Sequence, residues 1–173
     1  MAANTIRLMT PADAAAYHAL RIRALREHPE AFGRSPEEVD RVEAWAEYFR
    51  VDPGAELDFT LGAFAVDVLV GMVGCHRERL VKHRHTAVIW GMYVAPEHRR
   101  TGLGRRLLLA AVERARTWRD LKSLWLDVTT TNRDARALYD SCGFRTVAIK
   151  PRTLRVGAQY HDEEMMMLDL DQP

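Results

Sequence analysis

The sequence lacks most of the features that mark a secreted, membrane or polyanion-binding protein. Its two cysteines, Cys75 and Cys142, lie far apart and in no C-x-x-C arrangement, which excludes a disulfide framework and a zinc site built on cysteine pairs. No stretch approaches the ~18 consecutive apolar residues of a membrane span. The 25 basic side chains nearly balance the 24 acidic ones, so no overall field attracts nucleic acid or an anionic membrane. We therefore expect a cytoplasmic protein with no nucleic-acid or membrane partner.

The length and composition are those of one compact domain. The chain has 173 residues, of which 47% are hydrophobic and 28% are charged, and a single hydrophobic core is usual at this size. We see no repeat, low-complexity tract or linker, and we expect one domain over residues 1–173.

Two helices are predicted before the first long strand. Residues 6–8 alternate as a short strand. Thr10-Pro11-Ala12-Asp13 and Ser35-Pro36-Glu37-Glu38 each combine a capping-box pattern with proline at the first helical position, so a helix should start at each. The first should end near His28-Pro29, because a residue before proline disfavours the helical region. The second should stop before residues 52–54.

The rest of the chain alternates between strands and helices. Leu103 to Trp118 carries apolar residues spaced by three or four, which predicts an amphipathic helix. A shorter helix should follow the N-cap Asn132 and end at Gly143. The polar segment 77–85 is interpreted as a loop. Apolar stretches predict strands at residues 59–66, 68–75, 86–94, 123–130, 145–150 and 159–170. The predicted order is β-α-α-β-β-β-α-β-α-β-β.

The segment Arg99-Arg100-Thr101-Gly102-Leu103-Gly104 has the properties of an anion-binding turn. It leads from a strand into a helix whose first main-chain N–H groups have no partner within the helix. The helix dipole concentrates positive potential there, and glycine lets the main chain approach a ligand closely. Arg105 and Arg106 add nearby charge. A diphosphate fits such a turn.

Two common phosphate-binding motifs do not match this segment. A P-loop needs G-x-x-x-x-G-K-(S/T), and no such lysine follows a glycine pair here. A dinucleotide fingerprint needs a third glycine, where Leu107 stands instead. The six residues resemble the (Q/R)-x-x-G-x-(G/A) element of the GCN5-related N-acetyltransferases (GNAT family). Asn132, Ala135, Leu138-Tyr139 and Gly143-Phe144 resemble that family's next motif.

The resemblance covers nearly the whole chain and implies a fold and an activity. The fold would be α/β (α+β), with a central mixed, mostly antiparallel sheet of six to seven strands flanked by about four helices. The activity would be transfer of an acetyl group from acetyl-CoA to a primary amine, by direct attack in a ternary complex. The acceptor would be a small molecule or a protein amine.

The resemblance also implies roles for individual residues. Main-chain groups at residues 92–94 would pair with the pantetheine and polarise the thioester, amides of residues 100–105 would hold the pyrophosphate, and Asn132 would hold the cofactor arm. Tyr139 would be the catalytic acid for the coenzyme A sulfur, although packing in the core is the competing interpretation. The implied cofactor-binding residues are Met92, Tyr93, Val94, Arg99, Arg100, Thr101, Gly102, Leu103, Gly104, Arg105 and Asn132.

The general base and the acceptor stay open. Many relatives carry a glutamate on the fourth strand, but residues 86–93 hold no carboxylate. Asp127, His76, His85 or a relayed water are candidates. The glutamates of region 31–58 either attract a cationic acceptor or form a solvated helix face.

Other patterns have a plainer interpretation. His83-Arg84-His85 has no third ligand at a credible spacing, so no metal is expected. Alternation along Met165-Met166-Met167 should bury some of them in the sheet or in a homodimer contact. The missing strand carboxylate leaves a second hypothesis, a non-catalytic acyl-CoA sensor or partner-binding module. The basic run at residues 77–84 leaves a third, RNA binding.

Overall fold

The computed structural model describes residues 4–50 and 56–171 and follows the predicted element order. Its strands are β1 (Thr5–Leu8), β2 (Asp58–Ala65), β3 (Val68–Arg77), β4 (Thr86–Val94), β5 (Ser123–Thr129), β6 (Arg145–Val156) and β7 (Gln159–Asp169). Its α-helices are α1 (Ala14–Glu27), α2 (Val42–Tyr48), α3 (Leu103–Arg116) and α4 (Arg133–Ser141). Within those described ranges, no helix combines the length and apolar character that a bilayer crossing requires.

The strands form one sheet in the order β1-β2-β3-β4-β5-β7-β6. Every neighbouring pair is antiparallel except β4 and β5, which run parallel. The expected mixed, mostly antiparallel sheet with four flanking helices is thus confirmed. The single parallel pair matters for the site, because it lies between the two motifs recognised in the sequence.

Alternation along the strands separates two hydrophobic cores, one on each face of the sheet. On one face, α3 packs against β2, β3 and β4, and the core on that face includes Leu107, Ala111, Leu124 and Leu126, all 3% exposed or less. On the other face, α1 and α2 pack around Tyr17 with its neighbours Trp45 and Met72. The apolar stripe predicted for α3 is confirmed. Met166 is fully buried, whereas Met165 and Met167 point to the opposite face and are partly exposed.

Two predicted boundaries are wrong. The capping box at Ser35 is present, but it closes only a single 3-10 turn over Pro36–Glu38, because Val39 is extended and α2 starts at Val42. The predicted stop at residues 52–54 touches positions outside the described ranges. The strand expected to end at Lys150 continues to Val156 after an irregularity between Lys150 and Leu154. The polar character of residues 151–158 predicts a connection between two strands and not a continuation of the first.

The capping box at the start of α1 supplies a stability prediction. Arg7 donates two hydrogen bonds to the Asp13 carboxylate (2.7 and 2.8 Å), and the Thr10 N–H donates a third (2.8 Å). The bonds from Arg7 outweigh burial and, with those from Thr10, lower the pKa of Asp13 to about 2. The ionised carboxylate therefore stabilises the fold above the unfolded-state pKa of about 4, and this contribution disappears as the pH falls towards 2.

We expect Asp13→Asn to lower the free energy of unfolding by about 2 kcal/mol at pH 7, with the two proteins converging as the pH approaches 2. Urea unfolding at several pH values measures this. Asp67→Asn, in the exposed turn between β2 and β3, is the control and should change stability by less than about 0.5 kcal/mol. An Asp13→Asn difference that is the same at pH 7 and pH 3 would contradict the assignment to the ionised pair.

Candidate active site between strands β4 and β5

The turn before α3 presents a row of main-chain donors. Gly102 has φ +76° and ψ 0° and stands at the N-cap of α3, and Arg100 also has a positive φ, +58°. Such a φ strains a non-glycine residue, and backbone strain of this kind is concentrated at ligand-binding sites. Within the described part of the chain, the N–H groups of residues 100–105 have no hydrogen-bond acceptor. They lie at the positive end of the helix dipole and suit an anion.

The two glycines of this turn have different surroundings. A Cβ added to Gly102 would meet nothing within 4 Å, so the donors there are open. A Cβ on Gly104 would lie 3.5 Å from the Leu138 side chain, 3.8 Å from Met92 and 3.9 Å from Val94. Gly104 therefore brings the start of α3 close to both β4 and α4. The residues of the two sequence motifs meet at this point of the fold, and an open cradle of amides fits a diphosphate.

Arginine side chains frame the turn without filling it. Arg99 Nε donates to the Val94 carbonyl (2.8 Å), and its guanidinium lies 5.5 Å from the Tyr93 ring. This anchors the turn to β4. Arg100 lies 3.4 Å from Asp134 at the start of α4, with both side chains almost fully exposed. Arg100 is thus free to reorient at little cost, since exposed ion pairs contribute about 0–1 kcal/mol.

Strands β4 and β5 diverge beside this turn. They pair only at Thr86 with Ser123, Ala87 with Leu124 and Val88 with Trp125, although both strands continue further. The cause is a β-bulge in β4, where Gly91 adopts φ +64° between the partners of Gly74 and Met72. A bulge bends its strand away from the regular ladder. The sheet is therefore open where β4 passes the mouth of α3.

The register decides which main-chain groups face that opening. Ala95 donates to the Val70 carbonyl (2.9 Å), and bonded pairs alternate along an antiparallel ladder. Tyr93 therefore directs its N–H and C=O towards β3, while those of Met92 and Val94 face the opening. The Val94 carbonyl is already bound by Arg99. This leaves both main-chain groups of Met92 and the N–H of Val94 for a ligand.

Asn132 and Tyr139 lie on the α4 side of the opening. Asn132 is the expected N-cap, since its side-chain oxygen accepts from the Ala135 N–H at 3.2 Å. Tyr139 is only 8% exposed and packs edge-on against Phe144 with ring centroids 6.1 Å apart. Burial raises the pKa of Tyr139 to about 12. The phenol is therefore protonated at neutral pH and can serve as a proton donor.

A cleft of about 1010 Å³ lies on the opposite face of the sheet from α3. Its walls are α1, the segment 31–45 and the exposed faces of β3, β4, β5 and β7, and it reaches Trp90, Gly91 and Asp127 where the sheet opens. The Thr129 hydroxyl donates to the Glu30 carbonyl (2.8 Å), which ties the segment 29–31 to the end of β5. A second molecule entering here would meet a ligand held by α3 at the gap between the strands.

The structure brings two of the three side chains considered as general base to this cleft. His76 and Asp127 both line it, and Lys150 pairs with Asp127 at 2.6 Å. His85 lies in a separate cavity of about 540 Å³. Glu78 also lines the cleft, from the predicted loop that follows β3. Its N–H bonds to the Thr86 carbonyl (3.0 Å), and its position two residues after His76 on an extended chain could have indicated a shared face.

Arg21 is a further residue that sequence reasoning missed. It is 6% exposed, its guanidinium lies 4.8 Å from the Phe32 ring, and it lines the cleft beside Gly91. Burial lowers its pKa from the usual value, but arginine stays protonated at neutral pH. Its position four residues after Tyr17 places it on the apolar face of α1, and a charge on such a face was a signal available in the sequence.

No metal centre is evident in residues 4–50 and 56–171, where His, Cys, Asp and Glu side chains form no group of three suited to an ion. Cys75 is a buried free thiol and Cys142 a partly buried one. Burial raises the pKa of Cys75, so its thiol is unreactive.

Comparison with known proteins agrees with this geometry. A model of the acetyltransferase (GNAT) family matches residues 18–144. The [ribosomal protein bS18]-alanine N-acetyltransferase of Salmonella typhimurium is 37% identical over 81 residues, which are 47% of this chain and 53% of that protein. The chain spans about half the length of the curated relatives it matches.

Solved structures share the fold over almost their full length. A GNAT-family acetyltransferase of Streptococcus pneumoniae superimposes with a TM-score of 0.90 at 24% identity, covering 97% of this chain and 100% of that one. YncA of Salmonella typhimurium, solved with its cofactor acetyl-CoA, gives a TM-score of 0.86 at 24% identity, covering 99% and 96%. At these identities the likeness establishes the fold.

Proposed function

The chain belongs to the GNAT family of acetyltransferases, and on that premise we propose that it transfers the acetyl group of acetyl-CoA to a primary amine. One observation carries the proposal. The unpaired amides at the mouth of α3 lie open at Gly102 and directly beside the gap between β4 and β5. A diphosphate held there directs the rest of the molecule along the free main-chain groups of β4.

Each residue near the gap has a defined task in this reaction. The amides of residues 100–105 hold the pyrophosphate, and Met92 with the Val94 N–H pairs with the pantetheine. The Met92 N–H polarises the thioester carbonyl and stabilises negative charge on its oxygen during attack. Tyr139 gives its proton to the departing thiolate as the carbon–sulfur bond breaks. Asn132 holds the cofactor arm at the start of α4.

The amine enters from the opposite face, through the cleft, and must arrive neutral. An alkyl amine with a pKa of about 10.4 is mostly protonated at neutral pH. His76, Glu78 and Asp127 face the cleft and are positioned to take its proton, directly or through a water. The amine nitrogen then attacks the thioester carbon, and the amide and free coenzyme A are formed without a covalent enzyme intermediate.

The acceptor is either a small molecule or a protein amine. The name of the curated relative specifies alanine of a ribosomal protein, which makes a protein amine one candidate. The cleft is large enough for a small-molecule amine, the other candidate. We propose that the reaction takes place in the cytoplasm, and that a homodimer, if one forms, uses the partly exposed methionines of β7.

A thiol-release assay tests the proposal. We expect acetyl-CoA to bind, and free thiol to appear at a rate that rises with amine concentration when a panel of amines is supplied. Calorimetry measures the binding independently. Tight binding without any amine-dependent thiol would favour a non-catalytic acyl-CoA-binding module of the same fold.

The structure gives little support to RNA binding by the basic run at residues 77–84. Arg77 is mostly buried and bonds to the Arg84 and Arg119 carbonyls, and Arg79 pairs with Asp58 at 2.9 Å. Basic side chains engaged in this way are poorly available to phosphates. Retention on an anionic polymer that falls steeply with salt would revive that function.

A further inference from the structure

We propose that the acceptor amine carries a carboxylate close to its nitrogen, as a free α-amino acid does, and that Arg21 binds this carboxylate. The inference rests on the acetyl-transfer function proposed above and assigns the class of acceptor that enters the same cleft. It follows from two unpaired donors, the charge around them and their distance from the gap between the strands.

Arg21 is a buried cation whose hydrogen bonding is incomplete. Its Nη1 atom is fully enclosed and has no hydrogen-bond partner among the described residues. The Phe32 ring lies 4.8 Å from the guanidinium carbon, which offsets part of the desolvation but supplies no acceptor. A buried charge normally has a partner, because leaving it unpaired is strongly unfavourable. A ligand anion would complete the set.

Trp90 supplies a second donor to the same cleft. Its Nε1 atom is enclosed and has no acceptor among the described residues, and the residue lines the cleft together with Arg21. The indole N–H can only donate. Both groups are hydrogen-bond donors without an acceptor among the described residues, and one of them is a cation. They therefore favour a ligand group that is anionic and rich in oxygen acceptors over one that is an amine.

The other charges of the cleft limit that group to a small one. The other arginines along it already face carboxylates: Arg34 with Asp40, Arg79 with Asp58, and Arg77 with Glu56. Glu78 and Glu163 add further negative charge. A ligand with several negative charges would be repelled, whereas a single carboxylate matches Arg21, whose Nη1 has no partner among the residues that the structure describes. The acidic surroundings also suit the ammonium form of an amino acid as it enters.

Distance then places the carboxylate next to the reacting nitrogen. A Cβ built on Gly91 would lie 3.5 Å from Arg21 Nη1, so the guanidinium covers the bulge. Gly91 is adjacent to Met92, whose N–H we assign to the thioester, and neighbouring Cα atoms are about 3.8 Å apart. A carboxylate on Arg21 and an amine at the thioester are therefore separated by few bonds. This spacing fits an α-amino acid and excludes the ε-amine of a protein lysine or a long polyamine.

The test compares matched acceptors on the full chain. Each of the twenty common L-amino acids is assayed for thiol release, and the best is compared with its own carboxamide and with a peptide that begins with that residue. We expect kcat/KM for the free acid to exceed that for the amide and the peptide by about 30-fold or more. Equal or better use of the amide, the peptide or a polyamine would overturn the proposal.

Variants then assign the preference to Arg21. Arg21→Met keeps an unbranched apolar side chain and removes the charge. We expect it to lower kcat/KM for the acid by about 10- to 100-fold and to change that for the amide less than about threefold. Arg21→Lys should retain part of the preference. Arg26→Met, on the exposed side of the same helix, is the control and should match the wild type. An equal loss for acid and amide in Arg21→Met would show a purely structural role.

Binding separates this inference from the proposed reaction. The same acid and amide are titrated into protein saturated with coenzyme A, which carries no acetyl group. The dissociation constants then report binding at Arg21 without turnover. If no acceptor releases thiol but the acid binds in an Arg21-dependent way, acetyl transfer fails and the carboxylate site stands. If thiol is released but the acid binds no better than the amide, the carboxylate site fails and acetyl transfer stands.

Discussion

Gly102→Asp should weaken acetyl-CoA binding by about 100-fold or more. Nothing lies within 4 Å of a Cβ at this position, so the new carboxylate would occupy the space in which the pyrophosphate is held. It would repel that group and cancel the field at the start of α3. Calorimetric titration with acetyl-CoA measures the effect, which should diminish as salt is raised.

Gly102→Asn is the matched control, because asparagine has the size of aspartate and tolerates a positive φ about as well. The backbone strain at φ +76° is then common to both variants, and the difference between them isolates the charge. We expect Gly102→Asn to lose no more than about tenfold in affinity. Equal affinities for the two variants, or wild-type affinity in Gly102→Asp, would place the diphosphate elsewhere.

Tyr139→Phe should lower kcat by about 100-fold or more while the dissociation constant for acetyl-CoA stays nearly unchanged. The change removes only the hydroxyl, so the edge-on packing against Phe144 is retained. A thiolate must then leave without a proton donor. With its pKa raised to about 12, Tyr139 stays protonated at neutral and mildly basic pH. The wild type should therefore show no loss of activity from its ionisation between about pH 6 and pH 9.

The control for this variant is Tyr160→Phe, on the half-exposed end of β7, which should leave kcat unchanged. Steady-state thiol release and thermal unfolding are measured for both proteins. Unchanged turnover in Tyr139→Phe would remove the hydroxyl from the mechanism. A lowered melting temperature with normal turnover would assign Tyr139 to the core alone.

Local patterns were sufficient to predict the element order and the anion-binding turn. Capping and periodicity depend on residues three or four apart, so the end of α1 at Glu27, the apolar stripe of α3 and the cap at Asn132 could be predicted without tertiary information. The capping box at Ser35 predicts the start of a helix, but only a 3-10 turn forms there, because the same hydrogen bonds can close an isolated turn. Whether a helix continues depends on the apolar surface it meets, here the core around Trp45.

The cleft could not be predicted in this way. Arg21, Trp90 and Asp127 come from α1, β4 and β5, and Glu78 comes from the loop after β3. Only the tertiary structure brings them together. The bulge at Gly91 could not be predicted either. A glycine inside a strand is compatible with a bulge, a tight bend or the close approach of another group, and the sequence does not distinguish among them. The register against β3 is what identifies it as a bulge.

The sequence by itself determined the order of the helices and strands, the glycine turn that exposes the amides of residues 100–105, and through that turn the family. Only the tertiary structure decided where β4 parts from β5, which main-chain groups of β4 remain free, and which buried cation lines the cleft. The physical reason is the distance along the sequence between the residues that interact. Hydrogen bonds within a turn are fixed by neighbouring residues, whereas the opening and its charges arise from pairing between strands distant in sequence.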